Sequence, residues 1–306
     1  MSDIDVVTTR ADFLAAARGA QPGVRVPVEV RVEVADPYEA YRRARRDDGG
    51  GFYLETGGGQ SGWGYFGVAP VERIQVGPDA TSMDGSSPSL DALEGALARE
   101  ELVRGDCEVP YPCGAVGWVS YDVARELEDL PTTTPPSGMP RLQLGLYDAL
   151  ASWQEPHGEG ARLHVTACPV VEAEADLDAV YDRGRDRARR LAEGALAGDA
   201  GVPTHPSPGG PVTFESEAGE AAFAERVRAV KHYIREGDTF QANVSHRLVA
   251  PATVHPVRIF DALRRVNPAP YAGLLEFPGV DLVSASPELL LDVDGDRLLT
   301  EPIAGT

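Results

Sequence analysis

Residues 24–34 read VRVPVEVRVEV, with valine at every second position and arginine, glutamate or proline between. That alternation has the two-residue period of a strand with one face buried and one wet. Outward from it, Asp36 and Pro37 supply a cap and a first turn for a short helix reaching about Arg46. Gly49–Gly51 stop that helix. Strands are expected at Phe52–Glu55, Trp63–Val68 and Val71–Val76, separated by glycine-rich turns. A helix from Ser89 carries Leu90, Leu93 and Leu97 on one face. Gln143–Trp153 and Arg162–Ala167 read as paired strands. From about Glu174 to Leu196 the chain is mostly Arg, Asp, Glu and Ala, the composition of a solvated surface helix.

Residues 201–212 fall in a Gly, Pro and Ser stretch without a period and read as a linker. The expected division is therefore 1–200, a linker at 201–212, and a second domain from 213 to 306. In that second part Phe223, Val227, Val230 and Ile234 form an amphipathic helical stripe, and Gly237 is placed to stop it. Phe240–Leu248 then alternates again, Phe240, Ala242, Val244 and Leu248 against Gln241, Asn243, Ser245 and Arg247. This is the pattern of a strand with one wet face. A helix opened by Pro256 follows, and hairpins are expected to turn at Pro278-Gly279 and at Asp294-Gly295-Asp296.

The composition sets limits. The 306 residues carry 48 acidic against 28 basic side chains, a formal charge of −20, and Lys231 is the only lysine. A charge of this size self-repels at low ionic strength and is screened at molar salt, where the Debye length is ~3 Å. The excess of acid over base with almost no lysine therefore reads as adaptation to high salt. No basic stripe is available to neutralise phosphates, so nucleic acid is excluded as a partner. No apolar run approaches the ~20 residues of a membrane span, and the start MSDIDVVTTRADF lacks the zones of a signal peptide. No membrane association and a cytoplasmic location are expected. Three cysteines without CxxC spacing, and six histidines without ligand spacing, give no metal site. Walker, HExxH and nucleophile-elbow motifs are all missing.

Five segments carry more information together than singly. Cys113–Asp122 is CGAVGWVSYD, and Glu236–Ser245 is EGDTFQANVS. They are followed by NPAPY at Asn267–Tyr271, SASPE at Ser284–Glu288 and PIAGT at Pro302–Thr306. In this order and near these spacings they resemble the chorismate-utilising enzymes, specifically component I of 4-amino-4-deoxychorismate synthase and of anthranilate synthase. The resemblance implies an α+β fold, with antiparallel sheets packed as a two-layer sandwich and flanked by helices. It makes 1–200 the N-terminal domain of such a component and 213–306 the first part of a chorismate-binding domain, its C-terminal part incomplete. The implied substrate is chorismate, aminated with ammonia from a glutaminase partner as the ring hydroxyl leaves. Mg²⁺ is the implied cofactor. The family's magnesium-binding glutamates and catalytic histidine lie past Thr306, so no catalytic residue is assigned and the chain alone is expected to be inactive.

Within the chain, Gly305 and Thr306, with Ala304 beside them, match the family's substrate-contacting segment. Residues Leu54, Glu55 and Thr56, with Asn267, Pro268, Pro270 and Tyr271, match the segments that form a tryptophan pocket in anthranilate synthases. The Cys113–Asp122 segment reads as scaffold, its glycines serving backbone geometry. Two positions separate the branches. Ala304 stands where many aminodeoxychorismate synthases carry a nucleophilic lysine, and a methyl group cannot attack the ring. Against this, Thr56, Ala269 and Ala272 replace the serines and methionine of the tryptophan pocket. The reading settles on the chorismate-aminating subunit of 4-amino-4-deoxychorismate synthase. Its alternatives are anthranilate synthase component I and a non-catalytic fragment of either.

Overall fold

The computed structural model describes residues 3–46, 50–81, 85–98, 101–130, 138–201 and 212–303. In chain order the first elements are β1 (Asp5–Val6), α1 (Arg10–Ala17), β2 (Val24–Arg25), β3 (Val28–Val34) and α2 (Pro37–Ala44). Next come β4 (Gly51–Glu55), β5 (Gly62–Gly67), β6 (Glu72–Val76), α3 (Pro88–Leu97), β7 (Gly114–Val119) and α4 (Ala124–Leu127). They are followed by β8 (Leu142–Tyr147), β9 (Ala149–Glu155), β10 (Ala161–Ala167), β11 (Val170–Val171) and α5 (Leu177–Ala197). The remainder is β12 (Glu215–Ser216), α6 (Gly219–Glu236), β13 (Leu248–Val249), α7 (Pro256–Val266), β14 (Tyr271–Phe277), β15 (Val280–Ser286), β16 (Asp292–Asp294) and β17 (Arg297–Leu299).

Eight strands form one antiparallel sheet in the order β1-β3-β10-β9-β5-β4-β14-β15, and β6-β8-β7 form a second. Phe52, Leu150, Leu275 and Phe277 from the large sheet meet Tyr147, Val116 and Trp118 from the small one. This is the sandwich contact. On the other face of the large sheet, Tyr53, Phe66, Trp153 and Leu163 pack under α2, α5 and α7. The α+β reading with antiparallel layers therefore holds.

Several local expectations change. Pro27 has no N–H for a ladder, and the 24–34 strand divides there: β2 pairs with β11 while β3 joins the large sheet. The Gln143–Trp153 strand divides at Asp148, β8 going to the small sheet and β9 to the large one. Helix α5 is not a solvated helix. Gly184, Ala188, Ala192 and Ala195 are buried with Val180, Tyr181 and Leu191, and a side chain on Gly184 would come within 2.9 Å of Pro169 and Val28. Small residues carry little hydrophobicity, so the stripe is faint in sequence, yet they let the helix backbone lie close to the sheet. In α3 the buried positions are Ser89 and Ala96, while Leu90 and Leu97 are exposed.

The chain divides into two units, Met1–Val202 with Pro256–Thr306, and Pro203–His255. The expected 213–306 domain is thereby split. Residues 256–303 belong with the sandwich because β14 pairs with β4 and because Val257 and Phe260 of α7 enter the core beside Tyr38 and Tyr53. In the second unit α6 ends at Gly237, whose φ of 86° is the left-handed stop read from sequence. The expected strand at 240–248 shortens to Leu248–Val249, which pairs with Glu215–Ser216 and is flanked by the Glu217 N–H donating to Arg247 O at 3.1 Å. His246 lies against Phe223 and bonds the hydroxyl of Ser216 at 3.1 Å.

Candidate functional site

Strands β4 and β14 run side by side, with Glu55 opposite Ala272 and Leu54 opposite Gly273. Beyond β4 the chain turns under the 267–270 segment, and the Gly57 N–H donates to Pro270 O at 3.3 Å. The approach is close: a Cβ on Gly57 would lie 2.4 Å from Ala269 O. Gly58, at φ +65°, faces Pro268 O. Only glycine fits both constraints. Two segments more than 200 residues apart in sequence, matched separately by motif, are thus one structural feature.

They border a cleft of about 850 Å³. Of the residues matched to a tryptophan pocket, Leu54, Glu55, Thr56 and Tyr271 line it, and Asn267, Pro268 and Pro270 do not. Asn267 ends α7, its N–H donating to Leu263 O, and the two prolines support the glycine turn from behind. The other walls come from Trp63, Tyr65, Arg104, Tyr111, Asp292 and Asp294, which the sequence did not single out. Asp294 reads only as part of a hairpin turn, and Arg104 and Tyr111 sit in an aperiodic loop. No signal marked them before the chain was folded. Ala304, Gly305 and Thr306 lie outside the described residues.

Glu55 is the most constrained group in the cleft. The Arg264 guanidinium donates to it through Nε at 3.1 Å and through Nη2 at 2.8 Å, and the Tyr53 hydroxyl donates at 3.1 Å. Arg264 also lies over the Tyr38 ring, 4.9 Å from its centroid. Burial works against the Arg264 charge, but Tyr53, Glu55 and Asp36 outweigh it and hold the guanidinium protonated. Burial, then Glu55, pushes the Tyr53 phenol far above its usual range. The Thr56 hydroxyl donates to Trp63 O at 3.2 Å and closes the 56–63 turn. Across the cleft the Tyr111 hydroxyl donates to Asp292 at 3.4 Å, and burial together with that carboxylate raises its pKa.

Flat aromatic walls with three carboxylates and one guanidinium suit a small ligand that joins a ring or apolar body to a cationic group. Arg104 spends donors on Val109 O and Pro110 O, shaping the loop that carries Tyr111. Among the described residues no group of three or more His, Cys, Asp or Glu side chains could hold a metal ion. The described residues therefore do not fit the implied Mg²⁺, and no step through it is assigned to them. The Cys113–Asp122 segment is structural where the bonds show it: a Cβ on Gly117 would lie 2.0 Å from Gln143 O, and Asp122 pairs with Arg125 at 2.9 Å. Among the described residues no helix is long and apolar enough to cross a membrane.

A family model described as chorismate binding enzyme matches residues 49–306. A protein of Haloarcula marismortui named anthranilate synthase component 1 3 is 63 % identical over 307 residues, covering 100 % of this chain and 61 % of its own length. Anthranilate synthase component 1 of Thermus thermophilus is 34 % identical, covering 90 % of this chain and 58 % of the relative. The chain thus spans about three-fifths of the length of these curated relatives. The crystal structure of anthranilate synthase component I from Streptococcus pneumoniae superposes with a TM-score of 0.57 at 20 % identity, over 77 % of this chain and 52 % of that one. That likeness speaks for the fold.

Proposed function

The chain belongs to the chorismate-binding enzyme family, and on that premise we propose that it is part of the chorismate-aminating component of an anthranilate synthase. The observation that carries this reading is the 63 % identity, across the whole chain, to a relative named anthranilate synthase component 1. It moves the reading from aminodeoxychorismate synthase to the alternative already considered. Ala304 supports the move, since no nucleophile stands at that position. The substitutions that argued for the other branch weigh less in the folded chain. Ala269 is buried and presents its carbonyl to the Gly57 turn, so its side chain answers to packing.

The proposal includes chorismate as substrate, ammonia from a glutaminase partner, Mg²⁺ as cofactor and a cytoplasmic setting. Ammonia adds to the ring as the hydroxyl leaves, and a divalent cation would balance the two carboxylates of chorismate. Within the same reading, the cleft at Glu55 and Tyr271 is the effector pocket, and the ligand its walls fit is an aromatic amino acid such as tryptophan. The chain's acidity belongs to operation in concentrated salt.

The test is product identification. Chorismate, ammonia and Mg²⁺ are incubated in molar KCl with the protein of the complete reading frame, and in parallel with the 306-residue chain. Fluorescent anthranilate from the former supports the proposal, and 4-amino-4-deoxychorismate overturns it. The 306-residue chain is expected to release neither.

A further inference from the structure

The sequence scatters its three cysteines at 107, 113 and 168, and the fold brings Cys168 against the peptide that leads into Cys113. Cys113 directly precedes β7 in the small sheet and Cys168 directly follows β10 in the large one, yet the Cys168 thiol donates to the carbonyl of Pro112, the neighbour of Cys113, at 3.5 Å. The backbone holds the pair in place. Pro112 O accepts from the Thr166 hydroxyl at 2.5 Å and from Cys168 Sγ at 3.5 Å, and the Cys168 N–H donates to Asp148 O at 2.8 Å. The two thiols differ in access. Cys168 has no exposed surface, whereas Cys113 is half-buried and lines a small, mostly apolar pocket of about 170 Å³ with Leu97, Leu146 and Tyr147. Cys107 sits six residues before Cys113, in the loop that sends Arg104, Pro110 and Tyr111 into the cleft.

We propose that Cys113 and Cys168 are a reversible dithiol–disulfide couple, oxidised by a low-molecular-weight disulfide, whose cross-link fastens the 104–113 loop and so one wall of the cleft to β10. The step balances. The Cys113 thiol gives up its proton and the thiolate attacks one sulfur of the oxidant, releasing the first small thiol. The Cys168 thiolate then attacks the Cys113 sulfur of this mixed disulfide and releases the second. Two protein thiols lose two electrons, and one small disulfide becomes two thiols. Access fixes the order, Cys113 first and Cys168 as the resolving thiol. Burial, then Cys113, holds the Cys168 thiol well above its ordinary value, so the second step quickens as pH rises.

Oxidised glutathione serves as the probe on the 306-residue chain, with alkylation under denaturing conditions and peptide mapping as the readout. The expected product is a single Cys113–Cys168 link that dithiothreitol reverses, with Cys107 alkylated as before. Cys107→Ser keeps the link. Cys168→Ser stops at a glutathione adduct on Cys113, and Cys113→Ser leaves Cys168 unmodified. The linked form melts higher than the reduced one, because the bond closes a loop of roughly 55 residues in the unfolded chain. A wild-type map with Cys107 in the link, or with all three cysteines still alkylated, overturns the proposal without any variant. A glutathione adduct on Cys168 of Cys113→Ser overturns the order of steps.

Discussion

Replacing Arg264 by alanine removes both N–H donors from Glu55 and leaves that carboxylate with the Tyr53 hydroxyl alone. The side chains of Arg264 and Glu55 are 20 % and 10 % exposed, so the pair is mostly withdrawn from water. Breaking a buried pair by removing one partner costs ~3–5 kcal/mol. The residual exposure of Arg264 lets water reach the carboxylate and sets the value at about 3 kcal/mol. Losing the cation from the Tyr38 face adds roughly 0.5–1 kcal/mol. For a chain of this size that sum lowers Tm by roughly 6–12 °C. Trp153 stacks on Tyr53 with ring centroids 5.2 Å apart, so tryptophan fluorescence follows the site as well as global unfolding. Arg264→Lys keeps the charge but not the planar fork and falls between the two. The double variant Arg264→Met with Glu55→Gln loses less than the sum of the single changes, because neither leaves a buried charge alone. An Arg264→Ala protein within about 1 kcal/mol of wild type in denaturant melts, or a Lys variant equal to wild type, would refute the reasoning.

Other perturbations test other parts of the fold. Gly117→Ala forces a methyl to within 2.0 Å of Gln143 O and costs about 2 kcal/mol or more. Gly77→Ala, where nothing lies within 4 Å, stays within about 0.5 kcal/mol of wild type in the same melts. Glu29 is buried beside Arg31 at 2.6 Å and His164 at 2.9 Å. Its burial raises the carboxyl pKa, but those two bonds outweigh burial and hold it below the ordinary 4.5. Its stabilisation is therefore present above the ordinary carboxyl value and disappears as pH falls through the lowered one. Glu29→Gln is less stable at neutral pH by about 1–3 kcal/mol, and the gap closes on acid titration. A gap that widened toward low pH would contradict this. With a net charge of −20, Tm rises steeply from ~0.1 M to ~1 M KCl as the Debye length shrinks from ~10 to ~3 Å. A flat salt profile would remove the case for salt adaptation.

Elements that announce themselves through period and punctuation were legible before folding. The Asp36-Pro37 opening of α2, the Gly237 stop and the two hairpin turns appear as read, and the valine alternation of 24–34 persists in β3 once Pro27 has divided it. They depend on local sterics and on the two-residue or 3.6-residue repeat of side chains, which the chain carries in its own order. Motif order likewise placed the chain among the chorismate-utilising enzymes, because several short segments constrained by close backbone contact recur together.

Other features depended on partners distant in sequence. The burial of α5 rests on alanines and glycines whose value is closeness of approach, a property of two surfaces. The 240–248 stretch has the right alternation, but among the described residues its ladder starts at Leu248 and runs to Val249, since a strand is stable through its neighbours. The cleft shows the difference best. Its Leu54–Thr56 edge and Tyr271 were readable, but the pairing of β4 with β14, the Arg264 clamp on Glu55 and the Tyr111–Asp292 wall arise from contacts between segments up to about two hundred residues apart. By itself the sequence determined the periods, the stops, the charge and the family, and the tertiary structure alone decided which side chains share a cavity, because Coulomb and packing forces act over a few ångströms of space.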